Sequence, residues 1–511
     1  MKLLHQSITL SLLTALTLSL SGCGEESTST KEPKYKANVP SGVITPDRVQ
    51  TDLLGELRFR DGMPSKETVQ KSYDFLDTAR ASETFLNTLP AVSIYAMFEG
   101  MKEGGAQPGD LILMDNLMDA HTLFLTAQTT TPYGFAEINV KDEPMIVDMP
   151  PLILGAIDNA SFLHVTDIGI TGPDAGKGGK YLIVGPDYKG EIPEGYNVAR
   201  TKTYRNWIFM RAYVKDGDIK GSIKGLQNTF NIYPLSQAAN PPKQVVVSAS
   251  GKKFNTIHSN DITYFTELDN IVQYEPEDIF NPETTGLLAA IGIKKGEKFA
   301  PDARMKKLLT DGVAIGNATA RSITFRPRNE KAFYYPGKRQ WYTPFSGESS
   351  EFRDGAALVL DDRTMFHYYA TGITPAMAKP MVAKGSAYAI GAHDENGEYL
   401  DGAKTYAVTL PKDVPAAAFW SFMVYDNQTR SILETDQKKG GVDSTSPTLK
   451  SNADGSTTVY FSPTAPEGKE GNWIQTMPGK GYNVLLRIYG PLEAWFDRSW
   501  MPGDFVEVKN D

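Results

Sequence analysis

The chain has 511 residues, of which 41% are hydrophobic and 22% charged, with a formal net charge of −9. That length exceeds one simple core and sets an expectation of about three domains, and the composition excludes gross disorder. The acidic balance, with a pI ≈ 5.4, excludes nucleic acid as a partner, because a phosphate backbone is repelled and no Lys/Arg block offsets the repulsion.

Met1 and Lys2 open the chain, and Ile8 to Leu20 reads ITLSLLTALTLSL. This run is shorter than the roughly 20 apolar residues needed to cross ~30 Å of hydrocarbon. It is expected to be a signal-peptide core, with residues 1–22 removed. Leu20-Ser21-Gly22-Cys23 resembles a lipobox, in which small residues admit the peptidase and the thiol carries diacylglycerol. Cys23 is the single cysteine, so no disulfide is expected and Cys23 is the predicted lipidation site. Acyl chains on one residue, in the number a lipobox implies, give stable anchoring. Gly24, where an Asp would favour the inner membrane, points to the outer membrane facing the periplasm in a Gram-negative cell. Residues 23–44, rich in Glu, Ser, Thr and Lys, are expected to be a flexible tether.

Ser65 is placed as an N-cap with Glu67 in the first turn. Val69, Tyr73, Leu76 and Ala79 keep helical spacing, which predicts an amphipathic helix over 66–88 within a helical segment at 45–90. From Asp110 to Arg211 short apolar runs are broken by Gly and Pro: LILMDNL, PYGFAEINV, EPMIVDMP, KYLIVGP, YNVART, WIFMRAYV. This texture predicts a β-sandwich over 91–250. After Val214, Ile219, Ile223, Leu226 and Phe230 fall on one helical face. Asn260 is placed to cap a helix carrying Ile262, Phe265, Leu268 and Val272. Asn281-Pro282 joins an N-cap to proline at N1 ahead of LLAAIGI. Residues 302–321 predict another helix with Met305, Leu308, Leu309 and Ile315 inward. These helices are expected to form a separate layer, with a helical domain at 251–330.

Beyond 331 the pattern returns to strands. Tyr406, Val408 and Leu410 alternate with Thr405, Ala407 and Thr409. Tyr482, Val484, Leu486 and Ile488 alternate with Asn483, Leu485 and Arg487, so both runs are expected to be half-buried. Asp454-Gly455 suits a tight hairpin.

The sequence holds no His-Glu-x-x-His, no G-x-S-x-G and no G-x-G-x-x-G. The run from Gly172 to Gly178 departs from a phosphate loop. It is one residue short, has Gly178 where Ser or Thr would hold magnesium, and leads into the strand YLIV, not a helix. It reads as a strand-to-strand turn. Histidines at 121, 164, 258, 367 and 393 show no metal spacing, and His367 in FHYY reads as a core residue. Asp394-Glu395-Asn396-Gly397 has Tyr399 where a calcium loop needs glycine, and reads as a hairpin turn. No cofactor and no metal is expected. With 61 acidic residues, adjacent pairs such as Asp361-Asp362 decide nothing. Aromatics gather late in the chain: Phe333-Tyr334-Tyr335, Trp341-Tyr342, Trp420, Trp473, Trp495 and Trp500. Such faces beside amides and guanidiniums bind sugars or aromatic compounds, and equally fill cores. The pocket candidates are Tyr133, Asp426, Asn427, Arg430, Trp473 and Arg487.

Three groups of strings carry a family resemblance. They are TTTPYGFAEINV (129–140), GPDAGKGGKYLIVGP (172–186) and PEGYNVARTKTYRNW (193–207); FAPDARMKKLLTDGVAIGNATAR (299–321); and FWSFMVYDNQTRSILETDQ (419–437), NADGSTTVYF (452–461) and GNWIQTMPGKGYNVLLRIYGPLEAWFDRSW (471–500). From about 45 to 505 the chain resembles proteins with paired DUF1254 and DUF1214 domains. The resemblance implies an α+β multidomain fold: an N-terminal β-sandwich, a central helical domain, and a jelly-roll-like β-sandwich over 331–511. Where relatives carry Asn-x-Asp-Thr, this chain has Gln128-Thr129-Thr130-Thr131, which replaces the carboxylate with Thr130. The resemblance brings no catalytic residues. The leading expectation is an envelope lipoprotein, tied to the membrane through its lipid, that binds a small molecule or glycan. A hydrolase acting on an envelope or periplasmic substrate and an outer-membrane interaction or assembly protein are the alternatives.

Overall fold

The computed structural model describes residues 38–212, 214 and 218–509. Cys23, the signal segment and most of the tether lie outside the described residues. The described chain is a mixed α+β protein with several sheets, and its described residues divide into two compact units, one ending at Lys71 and the other beginning at Ser72. Among the described residues, no helix is long and apolar enough to cross a membrane.

In the first unit, β1 (Arg48–Thr51), β2 (Gly55–Arg60) and β3 (Met63–Pro64) form an antiparallel sheet in the order β1-β2-β3. This corrects the helical segment expected from residue 45. Leu57 and Phe59 alternate with charged neighbours at period two. Asp61 (φ 49) and Gly62 (φ 77) supply the left-handed pair that a two-residue hairpin needs. Helix α1 (Lys66–Glu103) starts as expected, with the Thr68 amide donating to Ser65 Oγ at 3.2 Å. It runs past Pro90 to Glu103. The residues expected inward at its start are exposed, Val69 at 37% and Tyr73 at 59%.

In the second unit, burial on α1 begins at Ala81 and continues through Phe85, Leu89 and Val92. These side chains share a core with α3 (Thr263–Tyr274), α4 (Pro282–Ala290) and α5 (Ala303–Phe325). Asn281 and Asp302 cap the last two helices, accepting from Thr284 N at 2.9 Å and Met305 N at 2.7 Å. Asn260 makes no cap: the Thr263 amide donates to Asp261 Oδ1 at 2.8 Å. Leu308 and Leu309 are buried, but Ile315 is 51% exposed. Gly312 and Gly316 take the inward places, since a Cβ on Gly316 would lie 2.9 Å from the Phe85 ring. Helix α2 (Ile219–Thr229) does not join this layer; Ile223 and Leu226 pack into the first β core instead.

That core lies between two sheets. Strands β4 (Leu111–Leu113), β5 (Tyr133–Asn139), β7 (Ile153–Asn159), β8 (His164–Gly169), β11 (Arg205–Ala212) and β13 (Val246–Ser248) form one, in the order β13-β4-β5-β11-β7-β8. Strands β6 (Met145–Met149), β9 (Gly179–Val184), β10 (Asn197–Arg200) and β12 (Asn231–Pro234) form the other, in the order β10-β9-β6-β12. The glycine loop after β8 therefore carries the chain from one sheet to the other. Buried Asp174 holds it closed, accepting from Gly169 N at 2.8 Å, from Gly178 N at 3.0 Å and from the Tyr181 hydroxyl.

A small hairpin, β14 (Arg353–Asp354) and β15 (Ala357–Leu358), precedes α6 (Leu360–Tyr369) and α7 (Pro375–Ala378). Two further sheets follow. One has the order β16-β22-β18-β19, from β16 (Ser386–Gly391), β22 (Tyr482–Pro491), β18 (Ala416–Asp426) and β19 (Gly441–Asp443). The other has the order β21-β20-β17-β23, from β21 (Trp473–Gln475), β20 (Thr457–Ser462), β17 (Tyr406–Leu410) and β23 (Val506–Glu507). They share a core with Trp341, Trp420, Trp495 and Trp500, so four of the six tryptophans are filling. Asp454-Gly455 turns the chain into β20 without joining two paired strands, because β20 pairs with β17 and β21. Strand β17 is half-buried as expected. Strand β22 is buried along its whole length, because its second face also packs inside the protein.

Candidate functional site

The two β regions meet through the second face of each inner sheet. On β11, Ile208, Met210 and Ala212 point into the apolar core. Alternation sends Arg205, Trp207, Phe209 and Arg211 to the opposite face. Register extends this face onto β5: Trp207 stands opposite Glu137, Phe209 opposite Phe135 and Arg211 opposite Tyr133. The rings form a continuous stack, with centroids 5.1 Å apart for Phe124–Phe135, 5.6 Å for Phe135–Trp207 and 4.8 Å for Trp207–Phe209. On β22, the face carrying Asn483, Leu485 and Arg487 looks toward this stack. Tyr388 of β16 and Ser421 of β18 flank Arg487.

Between these faces lies a cavity of ≈ 100 Å³. Tyr133, Phe135, Trp207, Phe209 and Arg211 line one wall, and Tyr388, Ile390, Leu485 and Arg487 the other. Phe366 and Tyr369 from α6, with Ala370-Thr371-Gly372, close one side; Phe124 to Gln128 close another. Gly372 has φ +75, and a Cβ there would come within 3.1 Å of the Phe209 ring, so both the turn and the ring position favour glycine. The lining contains neither carboxylate nor histidine.

The loop 124–128 is held from the C-terminal side. The Arg430 carbonyl accepts from Thr126 N at 3.1 Å. Arg487 Nη2 donates to Thr126 O at 2.6 Å, and the Tyr425 hydroxyl donates to Ala127 O at 2.6 Å. Within the loop, Gln128 Oε1 accepts from Thr131 N at 3.0 Å and also from Thr130, making a closed turn of residues 128–131. Burial opposes the Arg487 charge, and the tyrosines around it, Tyr425 and Tyr133 among them, raise its pKa only when ionised, which burial of their own hydroxyls resists. Burial pushes the Tyr133 hydroxyl up despite the two guanidiniums near it.

Residues 108–234 match the family model described as "Protein of unknown function (DUF1254)", and residues 385–493 match "Protein of unknown function (DUF1214)". The chain carries a DUF1254 domain and a DUF1214 domain. Among solved structures, the VPA0106 protein of Vibrio parahaemolyticus is similar at 17% identity and a TM-score of 0.53. The match covers 85% of this chain and 100% of that one. A putative uncharacterized protein from Burkholderia cenocepacia matches at 12% identity and a TM-score of 0.39, covering 86% of this chain and 97% of that one. The first likeness concerns the fold alone. No curated protein matches this chain.

The pocket thus draws one wall from the DUF1254 domain, the other from the DUF1214 domain, and its side from the segment that joins them. Of the residues singled out in the sequence, Tyr133 and Arg487 stand in its lining. Four do not. Asp426 pairs with Lys480 and accepts from Gln428 N at 2.7 Å. Asn427 accepts from Asn483 Nδ2 at 2.9 Å. Arg430 is fully buried with a positive φ of 61, lies 4.1 Å over the Tyr368 ring and donates to Tyr368 O at 3.1 Å. Its pKa is pushed down to about 10 by burial. Trp473 donates to Ser462 O at 2.9 Å on an outer strand. All four serve the fold, and Arg430 also positions the pocket loop. The reading of the sequence missed Trp207, Phe209 and Arg211. Their signal was present: in WIFMRA, aromatic and basic residues alternate with Ile208, Met210 and Ala212.

His367 is buried among Phe162, Phe352 and Phe366, and desolvation lowers its pKa to about 3. It is a neutral core residue outside the pocket lining.

Proposed function

We propose that this protein is a cell-envelope lipoprotein that binds a small molecule in the pocket between its DUF1254 and DUF1214 domains. The observation that carries this reading is the lining: a stack of aromatic faces with hydrogen-bond donors at fixed places, closed on four sides. Such a mixture of apolar walls and a few convergent polar groups is the usual character of a ligand site. A cavity of ≈ 100 Å³ is on the scale of the ~150 Å³ space that takes benzene, so the ligand is a small compound and not an oligosaccharide. The hydrolase alternative draws no support from a lining without carboxylate or histidine. The anchor proposed for this protein is the lipid on Cys23, with the outer membrane as its place. We also read the paired sheets of each β region, which share one core apiece, as sandwiches, the C-terminal one jelly-roll-like.

A thermal-shift screen of the purified full-length protein against small aromatic, aliphatic and sugar compounds tests the binding site. A ligand at 100 times its Kd adds about 2.7 kcal/mol to stability. Aromatic or aliphatic compounds are expected to raise the midpoint, and Ala370→Phe, which fills the cavity, to remove the rise. If no compound acts, or if the filled variant responds equally, the reading fails. Mass spectrometry of the processed chain tests the anchor: an unmodified Cys23 thiol would sink it.

A further inference from the structure

The pocket holds more positive charge than its surroundings explain. Arg487 is 4% exposed. Its Nη2 is bound to the Thr126 carbonyl, while its Nη1 is buried with no acceptor among the described residues. From the facing wall Arg211 enters the same cavity. The lining of the cavity holds no carboxylate to pair with either guanidinium. A third donor, Trp207 Nε1, is also buried without an acceptor, in a residue 1% exposed. A buried charge and a buried N–H without partners each cost free energy that a ligand's acceptor atoms recover. The surrounding tyrosines supply dipoles but no countercharge.

From these groups we infer that the pocket takes a small organic carboxylate, its carboxyl group held by Arg487 and Arg211 and its apolar body against the Phe135–Trp207–Phe209 stack. This rests on the reading that the pocket is a ligand site. The planar guanidinium fork matches a carboxylate. A single negative charge suits two guanidiniums in an otherwise aromatic lining. A phosphate dianion would require many more donors than the lining offers. The size of the cavity limits the body to a ring or a short chain.

The test is isothermal titration calorimetry of the full-length protein with butyrate and benzoate, each against its neutral amide, butyramide and benzamide, and with inorganic phosphate. The carboxylates are expected to bind about 10- to 100-fold more tightly than the amides, the range of charge-assisted hydrogen bonds. Arg487→Met is expected to abolish that preference for the acid over its amide. Amides binding as tightly as the carboxylates, or phosphate binding better than either, would overturn the carboxylate inference and leave the pocket as a ligand site. A preference that survives in both Arg487→Met and Arg211→Met would do the same. If no probe binds, the ligand-site reading falls and takes the inference with it. The comparison of acid with amide in the unaltered protein needs no variant, so the inference stays open to refutation even where a variant fails to fold.

Discussion

Strand β11 carries an arginine at each end of one face, and the two ends differ in one respect. At the first end, Arg205 donates to both oxygens of Glu137, at 2.7 and 2.9 Å, and lies 4.2 Å over the Phe98 ring. It lines an open cleft of ≈ 320 Å³ that also holds Glu99, Asp110 and Tyr274. Six residues on, Arg211 and its counterpart Arg487 face aromatic rings and no carboxylate. The first arrangement is complete within the protein: its charge is cancelled by a bidentate partner. The second leaves Arg487 Nη1 without an acceptor among the described residues, and in the proposed function a ligand supplies one. Cavity size alone would have favoured the larger cleft. Charge pairing is what separates the guanidinium we read as structural from the two we propose for a ligand.

Removing a partner at the paired end should have the largest effect. Glu137→Gln removes the bidentate partner of Arg205 and leaves it the longer contact to Glu99 at 3.8 Å, and breaking a buried pair costs about 3 to 5 kcal/mol. Urea denaturation is expected to show a loss of that size. A loss under about 1 kcal/mol would show that the pair is not what makes this end structural.

Midway along the same face, Trp207 stands between Glu137 and Asp158. Asp158 makes no ion pair among the described residues, and the nearby His164 opposes its protonation less than burial favours it. It is fully buried, accepts from Ile373 N at 2.9 Å, and its pKa is pushed up to about 7 by burial. Folded, it keeps a proton that the unfolded chain releases near the ordinary value of 3.8. The folded state therefore binds more protons in that window, and stability falls as pH rises from about 4 to about 7. At roughly 1.4 kcal/mol per pKa unit the fall approaches about 4 kcal/mol. The difference in stability between the protein and Asp158→Asn, followed over this range, should show that slope. A flat difference would place a cation or further donor on Asp158.

At the pocket end, Gly372→Ala places a Cβ against Phe209 at a positive φ. It should cost about 1 to 2 kcal/mol and weaken ligand binding by crowding the stack. Binding that is unchanged would mean the ligand does not reach Phe209. The smallest stability effect is expected for Arg487→Met. Loss of its carbonyl hydrogen bonds is offset by relief of an unpaired buried charge, so the net change should stay within about 1 kcal/mol. A loss as large as that of Glu137→Gln would erase the contrast between the two ends.

Local chemistry determined the elements whose cause is local. Ser65, Asn281 and Asp302 cap helices because a short polar side chain satisfies the first free amides wherever a helix begins. Period two in Tyr406-Ala407-Val408-Thr409-Leu410 made a half-buried strand. The DUF1254 and DUF1214 strings identified the domains on residues 108–234 and 385–493. The same local rules, applied to Val69, Tyr73 and Ile315, named an inward face that is exposed among the described residues, because helical spacing states that a face exists and not which neighbour covers it. The hairpin at Asp61-Gly62 was legible in its dipeptide and was overlooked beside the stronger helix that follows.

The pocket belongs to tertiary structure. Arg211 and Arg487 are 276 residues apart in the chain, and each sits on a strand whose pattern reads simply as apolar and alternating. Alternation predicts that Arg487 leaves the core of its own sheet pair. It cannot tell whether that side meets water or a second domain. Only the packing of the two sheet faces against each other brings buried Arg487 and half-buried Arg211 into one lining, because burial and the absence of a countercharge are properties of all the neighbours together and of no single segment.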